Sequence, residues 1–469
     1  KRSPTRYKLH NEWRGTLVSA RGRAIAAVAL RRATLALWRA RFGLRRGHAR
    51  RRVFARQLRL GCEELGATFI KLGQLASVRP DVFAPETVFE LERLQDRVPA
   101  VPGADVEAIV AAELGVAPER AFDDFESEPI ATASIAQVHR ARWKADHRRV
   151  SRAPLPRGSR LAGKIVRPGI ESHVSDDLAL ARRWTGRLSR LPGIARYRPA
   201  SLLEEFADSL ASELDLRNEG RTADRFARDF DDDPLVVVPR VVWPGTTRRV
   251  LTTEFIDGWR LNDLGEAERA GIDARRLAVH GAEVFLRQVL VHGRYHADLH
   301  PANLFVTPDG RICYLDFGIV GRTTPAERIA IAQVLAATVY GDAERALRYS
   351  RELGLEVPHD KASAVRDRIA ELMQAHLAGR EQADVRGFAL GFLYMLADFR
   401  IPVPAGYGLL VKALITVEGV ARALYPDIDI VQSAKPFATR LIAARLASRE
   451  RLKERVPAAL QAALRELLA

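Results

Sequence analysis

His296-Ala297-Asp298 is followed five residues later by Asn303 and, thirteen beyond that, by Asp316-Phe317-Gly318. Two separated acids and an amide in this order suit phosphoryl transfer. In kinase chemistry the loop H-R-D-x-x-x-x-N supplies an Asp that contacts the attacking hydroxyl. Its Asn and the Asp of D-F-G hold Mg²⁺ on the nucleotide phosphates. Here Ala297 stands where that loop carries Arg. The same stretch, YHADLHPANLFV, has rival readings as a transition-metal site, a hydrolase charge network or a loop with acids by chance. His296 and His300 lie four apart and could share a helix face as ligands, but the following Pro301 favours a loop. Agreement of three elements in order and spacing argues against chance.

Such chemistry needs a lysine on a strand to hold phosphates and a helix glutamate to position it. Lys164 lies in LAGKIV, residues 161–166, an apolar strand where an unpaired ammonium would be costly. An edge-strand surface lysine is the alternative. Candidate partners lie in SELDLRNEG. On one continuous helix Glu213 and Glu219, six apart, would point about 120° from each other, so separate partners are expected. Asp215 and Glu219, four apart, would share a face. A flexible G-x-G-x-x-G loop over the phosphates is missing. In its place stands Ala131-Thr132-Ala133-Ser134-Ile135-Ala136-Gln137. Small side chains permit close approach, but alanine disfavours the positive-φ backbone open to glycine. The expected nucleotide sits differently or binds with altered selectivity. Ala131, Ala133, Ser134, Ile135, Ala136, Gln137, Lys164 and Glu254 form the expected nucleotide-contacting set. After Gly318 the chain runs into a helical pattern within about eight residues, with no A-P-E and too little chain to dock a peptide. Phosphorylation of proteins in trans is therefore not expected.

The elements around these residues can be read from periodicity. GCEELGATFIKLGQLASVRPDVFAPETVFELERLQDRVP reads as two helices around an Arg-Pro-Asp turn. Leu65, Phe69, Leu72 and Ala76 form the first stripe, with Phe89, Leu91 and Leu94 buried in the second. Residues 100–120 form a short helical link, 129–143 two strands around a small-residue turn, and 144–160 a long polar hairpin. Residues 201–230 read as helix, and LVVVPRVVWPG and RRVLTTEFIDG as strands that end in a linker at Asp257-Gly258. Beyond it the pattern is mostly helical. The expected fold is α+β, a protein-kinase-like bilobal arrangement of a β-containing N-lobe and a helical C-lobe, with an N-terminal helical extension. The expected segments are a basic arm (1–60), the helical extension (61–120), the N-lobe (121–258), the C-lobe (259–445) and an amphipathic tail (446–469).

Charge is unevenly spread. Residues 1–60 hold eighteen Lys or Arg and one acid, Glu12, a balance of +17. The chain totals +16, so residues 61–469 sum to 16 − 17 = −1. Within the arm, Ala24, Val28, Leu35 and Trp38 recur at helical spacing among arginines. A basic amphipathic helix suits an anionic membrane surface. Nucleic acid and a solvated arm packed on its own domain are the alternatives. Two distant cysteines, Cys62 and Cys313, make no disulfide framework and suit a reducing compartment. The longest apolar run, FALGFLYMLA, falls well short of the ~18 residues of a spanning helix. The chain begins at Lys, so a spanning segment beyond it stays open.

Taken together these motifs resemble the UbiB family of atypical kinases, also called the ADCK or coenzyme Q kinase-like family, over about residues 60–440. Lys71-Leu72-Gly73-Gln74 is similar to its KxGQ signature, PIATASIAQVH to its alanine-rich loop, Glu213-Leu214-Asp215 to its ExD motif, and HADLHPAN to HADPHPGN. Leu299 and Ala302 stand for Pro and Gly. The resemblance implies a KxGQ extension lying where a protein substrate would bind, with Lys71, Gly73, Gln74, Glu213 and Asp215 as regulatory residues. It implies pairing of Lys71 with Glu213 and of Lys164 with Glu219. It implies binding of ATP or ADP with Mg²⁺, ATPase rather than protein-kinase activity, and support of ubiquinone biosynthesis or lipid homeostasis. In that reading Asn303 and Asp316 are metal ligands, and Asp298, Lys164 and Glu219 catalytic. Expected partners are anionic, cardiolipin-like lipid, quinone precursors and quinone-biosynthesis enzymes, with nucleic acid not expected. The expected location is the inner face of a bacterial-type cell membrane. A low-turnover nucleotide-sensing scaffold and a small-molecule phosphotransferase are the rival functions.

Overall fold

The computed structural model describes residues 20–38, 48–77, 79, 82–94, 100–144, 155–189, 199–261, 271–299, 301–378, 382–403, 405–432, 435–436 and 439. The rest of the arm, the centre of the 144–160 hairpin, His300 and the 446–469 tail lie outside them. The chain divides into two compact units, Lys1–Asp257 with Tyr314–Gly318, and Gly258–Cys313 with Ile319–Ala469.

The first unit begins with helix α1 (20–38). Two of its arginines are partly buried against carboxylates of the unit. Arg21 forms a two-pronged pair with buried Asp177 and donates to the Leu65 carbonyl, and Arg32 pairs with Glu64. Along the expected stripe Val28 and Leu35 are partly buried and Ala24 and Trp38 face solvent, while neighbouring Ala36 is buried. The guanidinium forks find carboxylates on their own unit, and those pairs outweigh the small alanine contacts. Helix α2 (His48–Leu65) crosses residue 60, then Gly66 at φ 92° breaks the chain before α3 (Ala67–Ser77). One expected helix is thus two, and the change of direction turns Leu65, Phe69 and Leu72 partly outward. Cys62, Ile70, Ala76, Leu91 and Leu94 are the buried cluster between α2, α3 and α4 (Pro85–Leu91).

Helices α5 (Gly103–Leu114) and α6 (Pro118–Ala121) lead into a five-stranded antiparallel sheet. Its strands are β1 (Phe122–Phe125), β2 (Ala131–Thr132), β3 (Ala136–Trp143), β4 (Arg160–Val166) and, after further elements, β6 (Val250–Glu254). The order is β1-β3-β4-β6, with β2 on β3. Val106, Ile109 and Val110 of α5 cover one face, packed on Trp143, Leu161 and Ile165. Then come α7 (Ile170–Leu188), α8 (Pro199–Glu213), α9 (Leu216–Asp229) and the short β5 (Val236–Val237). The helix expected over 201–230 is interrupted at Leu214-Asp215, because the Asp215 carboxylate accepts from the Arg217 amide and caps α9.

The second unit pairs β7 (Trp259–Arg260) with β9 (Leu304–Val306), which also neighbours β10 (Ile312–Tyr314). Helix α10 (Ala274–Arg287) runs through a π turn, Gln288–His292, into β8 (Arg294–His296), which pairs with β11 (Val320–Arg322). Only residues 319–324 separate Gly318 from α11 (Pro325–Val339), whose start is fixed by a Thr324–Glu327 capping box. Helices α12 (Ala343–Glu352), α13 (Ala362–His376), α14 (Val385–Asp398) and α15 (Ala405–Leu424) complete the unit. FALGFLYMLA lies in α14 and supplies Ala389, Phe392, Leu393, Met395 and Leu396 to the core. No described helix is long and apolar enough to cross a membrane.

Gly321 lies opposite Tyr295 in the β8–β11 pair, and a Cβ there would overlap the Tyr295 ring, which is 1% exposed. Gly321→Ala is expected to destabilise the protein by about 1–3 kcal/mol through overpacking. Urea denaturation of the intact chain measures this; an unchanged midpoint would mean that the ring moves aside freely.

Candidate active site

Side chains along β4 alternate between two faces. Leu161 and Ile165 enter the core under α5, whereas Lys164 emerges on the opposite face. β4 pairs on both sides, with β3 and β6, so Lys164 is on a central strand and the surface-edge alternative falls away. Its Nζ donates to both Glu219 oxygens at 2.8 Å and to Asp316 Oδ2 at 3.2 Å. Burial alone would lower the Lys164 pKa, but the carboxylates of Asp316 and Glu219 more than reverse that and raise it. Glu219 is pushed up to about 7, by burial first and by Asp316, with Lys164 opposing. Asp316 Oδ1 accepts from the Gly318 amide at 2.8 Å, an Asp turn within Asp-Phe-Gly.

Lys71 on α3 reaches Glu213 at 2.5 Å, with both side chains largely buried. Glu213 and Glu219 do have separate partners, but not because of rotation along one helix. The break at Leu214-Asp215 puts them on different helices. For the same reason Asp215 does not act from the face of Glu219: it caps α9 and pairs with Arg217. Gly73 lies against Leu94, Leu91 and Cys62, which leaves no room for a side chain there. Gln74 Nε2 donates to the Leu94 carbonyl at 3.4 Å, across the same helical hairpin.

In the alanine-rich loop, the Ala133 carbonyl accepts from Arg167 Nε and the Ile135 carbonyl from the Arg167 amide. Ala131 and Ala133 are partly exposed, whereas Ser134, Ile135, Ala136 and Gln137 are buried. The Gln137 side chain is turned away from the loop: its Oε1 accepts from the Val101 amide, and its Nε2 lies 2.8 Å from His139 Nε2. These contacts link β3 to the segment before α5. Glu254 is likewise committed, in a two-pronged pair with Arg240 at 2.8 Å. Sequence reading missed Arg240 and Arg167, whose partners are remote in sequence.

In the second unit, the Asp298 amide donates to His296 Nδ1 at 3.1 Å, and Asn303 Nδ2 donates to the Asp298 carbonyl at 3.3 Å. His296 is buried, with its own amide donating to Gln288 Oε1. Lys412 of α15 lies 3.6 Å from Asp298 Oδ1. It too was missed; its signal is a single cation inside the apolar run LLVKALITV.

Among the described residues no group of three or more His, Cys, Asp or Glu could hold a metal. Nucleotide-bound Mg²⁺ does not need one, since it takes one or two protein ligands beside phosphates and water. Asp316 and Asn303 each offer a hard oxygen donor of the kind Mg²⁺ prefers. Ser134 Oγ is buried without a hydrogen-bond partner among the described residues, and a hydroxyl in that loop suits a phosphate oxygen.

The ABC1 atypical kinase-like domain matches residues 93–350, and the UbiB helical domain matches 389–429. A probable protein kinase UbiB from Marinobacter nauticus is 33% identical over 388 residues, covering 81% of this chain and 69% of its own length. ACTIVITY OF BC1 COMPLEX KINASE 8, chloroplastic, from Arabidopsis thaliana is 32% identical over 428 residues; the match covers 84% of this chain but only 54% of that protein. The solved Rv3197–erythromycin complex from Mycobacterium tuberculosis has a similar fold, with a TM-score of 0.53 at 23% identity over 72% of this chain and 83% of that one. A domain match over more than half of the chain, with a relative one-third identical along most of it, makes this protein a member of the ABC1 atypical kinase-like family, of kinase-like α+β fold.

Proposed function

We propose that this chain is an atypical kinase-like ATPase that binds Mg·ATP or Mg·ADP at a membrane surface. It supports biosynthesis of ubiquinone or a related isoprenoid quinone, or lipid homeostasis, and its KxGQ hairpin keeps protein substrates out. The observation that carries the reading is Lys164, a charged amine held by Glu219 and Asp316 on the face of a central strand opposite the α5 core. One cation between two ionised carboxylates leaves the cluster at −1 above about pH 7, which suits a site that also takes a divalent cation. Bound Mg²⁺ would supply neutralising charge on the nucleotide phosphates. Lys164 orients the phosphates, Asp316 and Asn303 are the magnesium-ligand candidates, and Asp298 polarises a water or an acceptor hydroxyl.

Exclusion of proteins rests on two features. Residues 319–324 are too few to form a peptide platform, and Lys71 ties the KxGQ helix to Glu213, whose charge is felt by Glu219 itself. The membrane surface rests on exposed apolar side chains set among arginines, Leu30, Leu37 and Trp38 on α1 and Phe54 and Leu58 on α2. Such a mixture suits anionic, cardiolipin-like lipid, on the inner face of a bacterial-type cell membrane. The quinone pathway comes from the family, through relatives named as probable UbiB kinases.

The first test is phosphate release from Mg·ATP, with and without cardiolipin-containing liposomes. Release is expected to rise with the liposomes, and Asp316→Asn to lower it by about a hundredfold or more, the scale of losing a main electrostatic stabiliser. Intact nucleotide binding without release in either condition would favour a sensing scaffold. A second test uses pH. Glu219 is an acid below about 7, so the ion pair that positions Lys164 is complete only above that value. Turnover is expected to fall as pH drops through about 7, and Glu219→Gln to be slower and to lack that limb. The stability sign runs the other way, because a raised carboxyl pKa favours the folded state at low pH. The contribution of Glu219 is full below its ordinary value and is lost as pH rises through about 7. Thermal melts of the parent and Glu219→Gln should therefore shift in the variant's favour from pH 5 to pH 8.

A further inference from the structure

The Asp298 loop brings no cation of its own. Ala297 occupies the position after His296, its side chain is buried, and it can supply no charge. The loop backbone is fixed locally, by His296 Nδ1 on the Asp298 amide and by Asn303 on its carbonyl. The carboxylate is engaged differently. Its recorded ion-pair partner among the described residues is Lys412, from a helix that begins more than a hundred residues later.

Lys412 is not an ordinary surface lysine. Its side chain is 12% exposed, its neighbours Val411, Ala413 and Ile415 are buried, and its Nζ lies 3.6 Å from Asp298 Oδ1. A long side chain can send its charge to water along an apolar helix; this one ends at an acid instead. Asp298 is the more exposed partner, at 41%, so one oxygen faces the cation while the carboxylate stays open to a reacting group.

We propose that Lys412 is a positioning residue for the reaction, the cation that the helical domain lends to the Asp298 loop. It holds the carboxylate at one rotamer and balances its charge beside the phosphates. The inference rests on the phosphoryl-transfer reading above. It makes α15 part of the reaction apparatus as well as of the core.

The test compares Lys412→Met, Lys412→Arg, Asp298→Asn and the Lys412→Met/Asp298→Asn double variant in the full chain. Lys412→Met keeps the apolar stem, so its melting temperature and its affinity for a fluorescent ADP analogue should match the parent. Its kcat for Mg·ATP hydrolysis should fall by about tenfold to a hundredfold, the scale of a misplaced reacting group. Lys412→Arg should recover most of the loss. In the Asp298→Asn background, Lys412→Met should add nothing, because the cation acts through that carboxylate. A kcat within twofold of the parent, or losses that simply multiply in the double variant, would overturn the proposal. Mass-spectrometric acetylation of the nine lysines needs no turnover: Lys412 should label several-fold faster in Asp298→Asn than in the parent. Unchanged labelling sinks the pairing itself, whereas coupled labelling in a parent without turnover sinks the ATPase reading and, with it, the proposed role in the reaction.

Discussion

An ammonium withdrawn from water on a central strand is costly unless carboxylates meet it, and the first unit is built around meeting it at Lys164. Alternation along β4 sends Leu161 and Ile165 to one face and Lys164 to the other. The Asp215 cap starts α9 so that Glu219, in its first turn, reaches the amine with both oxygens. Asp316 arrives from far along the chain, yet residues 314–318 belong to the same unit. The reason is aromatic: Tyr314 and Phe317 both pack on Phe226 of α9, with ring centroids 5.0 and 5.2 Å away. One helix therefore carries the glutamate and anchors the segment bearing the aspartate.

The same cluster connects outward through charge. Glu213 ends α8 next to the Asp215 cap, and Lys71 ties it to the KxGQ helix. At the other end of that hairpin, Arg21 of α1 donates to the Leu65 carbonyl beside the Gly66 break, lies over the Phe69 ring and pairs with buried Asp177. The arm helix is thus not a free basic tail. Part of its charge is spent on its own unit, and the apolar side chains left outside are those that a lipid surface would meet. The extension is thus tied by charge to Glu213, which ends the helix just before the one that bears Glu219.

Much of this was legible from residue type and spacing. Strands within 129–143 and at 161–166 and the short run after Asp-Phe-Gly follow from local patterns, and the pairing of Lys164 with Glu219 from the family resemblance; the structure reproduces them. What escaped depended on breaks and on remote partners. Periodicity over 201–230 is continuous in hydrophobicity, so the Asp215 cap inside it was invisible, and the separate partners of Glu213 and Glu219 were expected for the wrong reason. On α1 the pairing of Arg21 with Asp177 and of Arg32 with Glu64 could not be foreseen, because arginine counts only as polar in a pattern. The partners of Gln137 and Glu254, namely Val101, His139 and Arg240, could not be foreseen as neighbours. Lys412 is the same case in reverse, a residue without a local motif whose meaning lies in a loop far upstream.

The alanine-rich loop draws these strands of argument together. A glycine-rich loop adapts to phosphates by visiting left-handed backbone and by moving. Here Arg400 is the one non-glycine at positive φ among the described residues, so Ala131 to Gln137 use backbone that alanine adopts without strain. The loop is also tied down. Arg167 grips the Ala133 and Ile135 carbonyls, Ala133 donates to Ala136, and Gln137 is locked to Val101 and His139. Burial lowers the His139 pKa, which keeps its ring neutral and suited to accept from Gln137 while its Nδ1 donates to the Glu126 carbonyl. Flexibility that glycine would have provided has been exchanged for a preset shape. A preset loop loses little entropy on binding but cannot follow a substrate through large rearrangement. On the proposed function, that combination suits a nucleotide held in one pose.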